Sequence, residues 1–203
     1  MPGNTESDGE GPAAWWNERY DSDDMPWDTG APQSALVDAV AEYGLSGRVL
    51  DIGCGTGTHA LWAAEQGHPA VGLDISERGI ERARDRATDH DLDVRFRVGN
   101  ALDLDADVGE FGTVLDSGLF HAFEAEGHAA YAEQVADILR AGGRLFIVGF
   151  GPDAPTDFGP VPMSTGDVRQ AFADGWHELT CREATFETRA MEVPGLLGVF
   201  ERE

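Results

Sequence analysis

The chain has 203 residues, 41% of them hydrophobic, so it can bury one substantial core and we expect a single domain. Its 38 acidic residues far outnumber its 14 basic ones, which are all arginine, and the net charge is −24 at pH 7. The negative charges on such a surface repel one another unless concentrated salt screens them, so we expect a protein from the cytoplasm of an extreme halophile. The chain has no basic stripe to neutralise phosphates, which excludes nucleic acid as a partner.

The N-terminal segment contains no apolar stretch of the kind found in signal peptides, and no apolar run approaches the ~20 residues that span a membrane. These features predict a cytoplasmic protein without a membrane partner. Residues 1–12 lack hydrophobic periodicity and predict a disordered acidic tail. We expect an aromatic helix over 13–20, a loop dense in helix breakers over 21–32, and a helix from Pro32 to Tyr43.

Residues 13–45 form an arm ahead of the first predicted strand, and two interpretations of this arm stay open. It could cap the hydrophobic core, or it could be a lid whose Trp27 covers a bound ligand. In either case residues 13–203 are expected to form one domain with the arm at its N-terminus.

Strands and helices alternate after the arm. Strands are predicted at 49–52, 70–73, 94–98, 111–115 and 144–150, with helices at 58–66, 77–89 and 127–139. The arginines of the helix at 77–89 stand among acids and indicate a solvated face. After a short helix at 167–173, two longer strands, 176–186 and 193–201, follow each other directly. This order predicts an α/β fold, a Rossmann-like doubly wound sheet of seven mostly parallel strands with an antiparallel C-terminal hairpin strand.

The first predicted strand ends in a glycine-rich loop, Asp51-Ile52-Gly53-Cys54-Gly55-Thr56-Gly57. Glycine lets the backbone adopt positive φ and approach a ligand, and the N-terminus of the following helix favours polar ligand groups. A nucleotide triphosphate is excluded because the P-loop requires a lysine, which the chain lacks. A dinucleotide and S-adenosylmethionine (SAM) stay open, although dinucleotide-binding loops space their third glycine differently. Either ligand would present ribose hydroxyls to Asp74, the acid that ends the second strand.

Five ordered motifs resemble those of class I SAM-dependent methyltransferases. They occupy 51–57 in the loop, 72–76 at the second strand, 99–103 after the third, 114–117 at the fourth and 139–143 before the fifth. That family also ends its sheet with an antiparallel hairpin strand. The resemblance therefore implies a methyltransferase with SAM as its cofactor.

The same resemblance implies roles for individual residues around the loop. The backbone of Gly53, Gly55 and Gly57 would lie against the cofactor. Asp74 would bind the ribose hydroxyls, and Ile75 would pack on the adenine.

Further cofactor contacts are implied at the other strand ends. Asn100 and Ala101 would meet the edge of the adenine, although the family more often has aspartate at the first of these positions. Asp116 and Ser117 would lie near the methionine end. Asp51 would orient the loop or reach the amino group of the cofactor through water.

A narrower resemblance involves Pro26-Trp27-Asp28-Thr29-Gly30-x-Pro32 and Asp116-Ser117-Gly118-Leu119-Phe120-His121. These segments look like parts of the thiopurine, halide and thiol methyltransferase group. That group places an N-terminal arm over the cofactor, which would give Trp27 and Gly30 a role in a lid. The resemblance implies a small-molecule substrate, with a thiol, a halide or a similar nucleophile as the methyl acceptor.

His121 is the candidate catalytic residue. A thiolate or halide needs no general base, whereas an oxygen or nitrogen nucleophile needs one, and His121 follows the end of the fourth strand. The alternative interpretation is a helix-cap or core histidine. The other histidines show no spacing that predicts a metal site.

Two other classes of function stay open. One is an NAD-dependent oxidoreductase, which the glycine spacing and the later motifs oppose. The other is a protein on the same fold that binds SAM without methyl transfer, or an aminopropyltransferase. The sequence makes no prediction about the oligomeric state.

Overall fold

A computed structural model describes residues 11–22, 25–104, 108–156 and 160–203. The strands are β1 (Val49–Ile52), β2 (Ala70–Asp74), β3 (Val94–Val98), β4 (Phe111–Ser117), β5 (Leu139–Phe150), β6 (Trp176–Glu187) and β7 (Glu192–Arg202). The helices are α1 (Pro12–Ser22), α2 (Ser34–Tyr43), α3 (Thr58–Glu65), α4 (Glu77–Asp89), α5 (Ala125–Ile138) and α6 (Thr165–Ala171), with a 3-10 turn at Phe120–Ala122. Most of the predicted tail, residues 1–10, lies outside the described residues. In these described segments, no helix combines the length and the apolar character needed to cross a membrane.

The seven strands form one sheet in the order β3-β2-β1-β4-β5-β7-β6. Strands β1 to β5 are parallel, and β7 runs antiparallel between β5 and β6. The predicted Rossmann-like α/β fold with an antiparallel C-terminal strand is therefore confirmed. The strand order reverses between β1 and β4, and open α/β sheets bind ligands outside the carboxyl ends of the strands at such a point. The candidate site is expected just beyond Ile52 and Ser117.

The hydrophobic core covers both faces of the sheet, because successive strand residues point to opposite sides. On β1, Leu50 and Ile52 belong to the cluster that includes α5 and α6, whereas Val49 belongs to the cluster that includes α2, α3 and α4. Helices thus pack on both faces of the sheet, and the strand ends at the candidate site lie next to this hydrophobic core.

Some element boundaries differ from the prediction for local reasons. Helix α2 begins at Ser34, two residues later than predicted, because the Gln33 backbone is extended, with φ of −57° and ψ of 125°, and its N–H donates to His59 Nε2 at 3.2 Å. Helix α6 begins two residues earlier, because Ser164 and Asp167 form a capping box at its first turn. Strand β5 follows α5 directly and includes the glycines that we expected to separate them.

Candidate active site

The three glycines of the loop after β1 adopt left-handed conformations, with φ of 70° at Gly53, 51° at Gly55 and 83° at Gly57. They are also crowded by different elements. A Cβ at Gly53 would lie 2.8 Å from the side chain of Leu119, and a Cβ at Gly57 would lie 2.7 Å from the ring of Phe96. Packing against β3 therefore explains Gly57, and its contact with a cofactor stays a prediction.

Asp74, at the end of β2, holds the glycine loop. Its Oδ2 accepts the Gly55 N–H at 2.8 Å, and its Oδ1 accepts the Ser76 N–H at 2.8 Å. The residue is 8% exposed, and burial raises the pKa of its carboxyl. The hydrogen bonds join the loop after β1 to the end of β2, which brings together the glycines and the acid that the sequence analysis assigned to one ligand.

Asp51 lies beneath the same loop, where it is 1% exposed. Its Oδ2 accepts the Ala60 N–H at 2.9 Å, in the first turn of α3. Burial, together with the nearby carboxylates of Asp74 and Asp116, raises the pKa of this carboxyl to about 7 against the opposing hydrogen bond from Ala60. Of the two predicted roles, the contacts of Asp51 match the orientation of the loop.

Asp116, near the end of β4, is held in internal hydrogen bonds. It is fully buried, and its carboxylate accepts the N–H groups of Leu119 at 2.8 Å and Phe120 at 3.1 Å and the hydroxyl of Tyr131 at 2.7 Å. Burial raises the pKa of this carboxyl to about 6. The side chain thus builds the turn after β4, and its predicted place near the methionine end stays a prediction. Ser117, the next residue, is partly exposed at the strand end.

The residues predicted to meet an adenine come together at the ends of β2 and β3. The Gly99 N–H donates to the Asp74 carbonyl at 2.9 Å, which places the segment after β3 beside the segment after β2. Ile75 is partly buried, Ala101 is 7% exposed, and Asn100 is exposed. The Asn100 Oδ1 accepts the N–H two residues further on at 3.0 Å, so this side chain also shapes its own turn.

The arm reaches the glycine loop through Tyr20, which the sequence analysis did not identify. A Cβ on Gly55 would lie 2.5 Å from the Tyr20 hydroxyl oxygen, and Tyr20 is 3% exposed. Trp27, which we expected over the ligand, is partly buried and packs edge-on against Trp16 with ring centroids 5.5 Å apart. Trp16 and Tyr20 are four residues apart on α1, a spacing that puts them on one face and could have indicated the contact. Gly30 is exposed and has φ of 77°.

Hydrogen bonds fasten the arm at both ends. Asn17 Oδ1 accepts the hydroxyl of Ser76 at 2.7 Å and the N–H of Arg78 at 3.2 Å, at the N-terminus of α4. Gln33 exchanges two hydrogen bonds with the backbone of Glu187, at 2.9 and 2.8 Å, where β6 ends. The arm therefore packs on the core and also contacts the glycine loop, and its role as a lid stays a prediction.

Arg86 of α4 supports the loop from the side. Its Nη1 donates to the carbonyl of Thr56 at 3.0 Å and to the hydroxyls of Thr56 and Thr58 at 2.8 Å each. The Thr56 hydroxyl in turn donates to Asp28 Oδ2 of the arm at 2.9 Å. The interpretation of these arginines as a solvated face is wrong for Arg86. A cleft of about 500 Å³ lies here between the arm and α4, lined by Gly30 but not by the three buried aspartates.

His121 lies in the 3-10 turn and is 6% exposed. Its Nδ1 accepts the Phe150 N–H at 2.8 Å, and its ring packs against those of Phe150 and Phe186. Burial lowers the pKa of the imidazole to about 3. A neutral imidazole has one acceptor nitrogen, and here that nitrogen is occupied, so the predicted role as a general base lacks a free lone pair. The contacts match the alternative interpretation, a core histidine.

Comparison with known proteins points to one family. A family model for a methyltransferase domain matches residues 49–143. The 2-heptyl-1-hydroxyquinolin-4(1H)-one methyltransferase of Mycobacteroides abscessus is 34% identical over 154 residues, which are 74% of this chain and 68% of that protein.

Solved structures agree with this match. One, from work on the conversion of a disulfide bond into a thioacetal group during echinomycin biosynthesis, is 33% identical with a TM-score of 0.80 and covers 88% of this chain and 85% of that one. Another, the 1,6-didemethyltoxoflavin-N1-methyltransferase of Burkholderia thailandensis with bound S-adenosylhomocysteine, is 21% identical with a TM-score of 0.77 and covers 94% and 86%. This second likeness concerns the fold.

Proposed function

The chain belongs to the family of SAM-dependent methyltransferases, and we propose that it methylates a small-molecule thiol, halide or similar nucleophile. The observation that carries the proposal is the hydrogen bond from the Gly55 N–H to Asp74, the acid predicted to bind the ribose, which joins the glycine loop to the end of β2 where the strand order reverses. When bound, SAM supplies a methyl group on a sulfonium for in-line displacement. The residues of the chain must align the acceptor and exclude water.

The groups around the loop fit this cofactor. Each oxygen of Asp74 uses one lone pair on a backbone N–H and keeps another for a ribose hydroxyl. Ile75 and Ala101 offer apolar surface to the adenine, and Asn100 lies at its edge. Ser117, at the end of β4, and the loop backbone are assigned to the methionine end.

We assign the acceptor to the region beyond the ends of β4 and β5. There, the rings of Phe150 and Phe186 flank His121. Sulfur makes favourable contacts with aromatic rings, so this environment suits a thiol. The relative from Mycobacteroides abscessus is named for a hydroxyquinolinone, and the 33% identical structure comes from work on sulfur chemistry of a small molecule, which supports a small acceptor.

The lid is part of the same proposal. Tyr20 and Trp27 lie on the arm, and Gly30 lies in the loop that carries Trp27. We infer that residues 13–203 work as one domain in which the arm, residues 13–45, covers the cofactor. Its contacts with the loop and with β6 support this inference.

Calorimetric titration tests the cofactor. SAM and S-adenosylhomocysteine are expected to bind, and NAD is not. Asp74→Ala should weaken SAM binding by about 1–3 kcal/mol, because buried hydrogen bonds are lost. The exposed Asp93 provides the control, since Asp93→Ala should leave affinity unchanged. Binding of NAD without a response to either sulfur compound would end the proposal.

A labelled-methyl screen over thiols, iodide, phenols and amines tests the transfer. Methylation of one or more thiols or of iodide is the expected result. Binding of SAM with no transfer to any acceptor would favour a SAM-binding protein without transferase activity. Transfer of an aminopropyl group from decarboxylated SAM to an amine would instead indicate an aminopropyltransferase.

We further propose that the protein works in the salt-rich cytoplasm of a halophile. The net charge of −24 arises from 38 acidic residues and supports this setting, since dense salt screens their repulsion. Thermal melts in dilute and in multimolar KCl should show a large rise in Tm with salt. Equal Tm values in the two solutions would refute this proposal and leave the proposed reaction untouched.

A further inference from the structure

His121 presents a hydrogen-bond donor towards the ends of β4 and β5. Because Nδ1 accepts the Phe150 N–H at 2.8 Å, the neutral ring carries its hydrogen on Nε2. The Phe150 and Phe186 rings lie beside it, with centroids 5.1 and 5.7 Å away. Burial in this apolar setting lowers the pKa of His121 to about 3, which keeps the ring neutral at physiological pH.

Two glycines shape the space around the imidazole. A Cβ at Gly149 would lie 2.7 Å from Nδ1, and a Cβ at Gly118 would lie 3.2 Å from Nε2 and 3.3 Å from the Phe186 ring. Gly149 thus lets the ring approach β5, and Gly118 adds no side chain of its own beside the Nε2 edge. Gly118 directly follows β4, so the Nε2–H lies beside the region assigned to the acceptor.

The two aspartates closest to this region are already engaged. Asp116 accepts hydrogen bonds from Leu119, Phe120 and Tyr131 and is fully buried. Asp51 accepts an N–H of α3 and is 1% exposed. The aromatic rings and the glycines that face the imidazole carry no titratable group. Of these groups, the His121 Nε2–H is therefore the one available to an acceptor as a donor, and neither aspartate is a free carboxylate.

We propose that His121 binds the methyl acceptor as a neutral Nε2–H donor, so that the acceptor binds already ionised, as a thiolate or another soft anion. This inference rests on the proposed function and narrows its substrate class. In the transfer, a lone pair of the anion forms the bond to the methyl carbon while the carbon–sulfur bond breaks and its electron pair stays on the cofactor sulfur. The anion and the sulfonium lose their opposite charges together, so no proton has to be removed within the site.

The tautomer can be tested without an acceptor. In 15N-labelled protein with S-adenosylhomocysteine, long-range 1H–15N spectra should show a neutral His121 with its hydrogen on Nε2 across the range in which ordinary histidines titrate. The signals are assigned by their loss in His121→Asn. A ring that becomes charged in this range, or that carries its hydrogen on Nδ1, would overturn the proposal.

Two substitutions separate the role of the Nε2–H donor from that of Nδ1, which accepts the Phe150 N–H. In His121→Asn the side-chain oxygen can still accept the Phe150 N–H, but no group reaches the Nε2 position. In His121→Gln the amide nitrogen can reach that position. With thiophenols, His121→Asn should raise KM roughly 10- to 100-fold, as expected for a lost hydrogen bond to an anion. His121→Gln should have a KM between those of wild type and His121→Asn. The exposed His90 provides a control, His90→Asn, which should behave as wild type.

The pH profile gives a further readout. For wild type, the rise of kcat/KM with pH should move with the thiol pKa as ring substituents change it, because ionisation of the substrate is what the site requires. A rise at one fixed pH for every thiol would reveal an enzyme base and refute the inference alone, and so would an unchanged KM in His121→Asn. If SAM binds but no acceptor is methylated, the proposed function itself fails, and the inference with it.

Discussion

The contact between Arg86 and the glycine loop can be removed by a single substitution. Arg86→Met keeps most of the aliphatic stem but deletes the hydrogen bonds to the carbonyl and hydroxyl of Thr56 and to the hydroxyl of Thr58. A hydrogen bond in a protein contributes a net ~1 kcal/mol, and Arg86 is partly exposed. We therefore expect the free energy of unfolding to fall by about 2 kcal/mol.

The same substitution should weaken SAM binding. Thr56 lies between Gly55 and Gly57, and its hydroxyl also holds Asp28 of the arm at 2.9 Å. Without Arg86 the loop is less ordered in the free protein, so SAM binding has to supply more of the free energy that orders it. A reduction in affinity on the order of tenfold corresponds to about 1.4 kcal/mol.

The matched control for Arg86→Met is Arg84→Met on the same helix. Arg84 is exposed and donates one hydrogen bond, to the Phe96 carbonyl at 2.9 Å. Urea unfolding in concentrated KCl should show a loss below about 1 kcal/mol for the control, and calorimetry should show SAM affinity close to wild type. Equal losses of stability in the two variants, or unchanged SAM affinity in Arg86→Met, would refute the role assigned to Arg86.

Two further substitutions test buried groups of the loop. Burial raises the pKa of Asp51 from 3.8 to about 7, so the folded state holds this proton while the unfolded state has released it, and stability is lost as pH rises through this window. The stability of Asp51→Asn relative to wild type should therefore rise by up to about 4 kcal/mol as the pH goes from acid to mildly alkaline. Urea unfolding that shows the same difference in stability at every pH would contradict this. Gly57→Ala should cost about 2–4 kcal/mol, because φ is 83° and the Cβ would meet Phe96. Gly67→Ala, where φ is 86° and the space is open, should cost about 1 kcal/mol, and equal Tm shifts would exclude the steric explanation.

The local features around the loop that match the sequence-based predictions depend on residues close together in the sequence. The cap of α4 is an example, since Ser76 directly precedes the helix and its hydroxyl accepts the Gly79 N–H at 3.1 Å. The turn at Gly53 and Gly55 could be predicted from the local pattern of an apolar strand, a glycine loop and a helix. Asp74 followed from its place at the end of the second strand, because parallel strands bring their carboxyl ends to one edge.

The chemical state of the other groups could not be predicted in this way. His121 looked like a base because it follows β4, but its acceptor nitrogen is taken by an N–H 29 residues away. Asp116 was predicted beside the cofactor from its place on β4, but the sequence did not indicate that its carboxylate accepts the hydroxyl of Tyr131, 15 residues further along. In each case the partner is brought in by sheet order or helix packing, which the spacing of the residues does not specify.

By itself, the sequence determined the α/β fold, and its motifs indicated the class of cofactor. Periodicity sets which segments become strands, and chirality allows few ways to connect them. Only the tertiary structure decided what each polar group at the site can do. Tyr20 on Gly55, Arg86 on Thr56 and Phe150 on His121 are contacts between distant segments, and it is burial by such segments that consumes lone pairs and shifts pKa values.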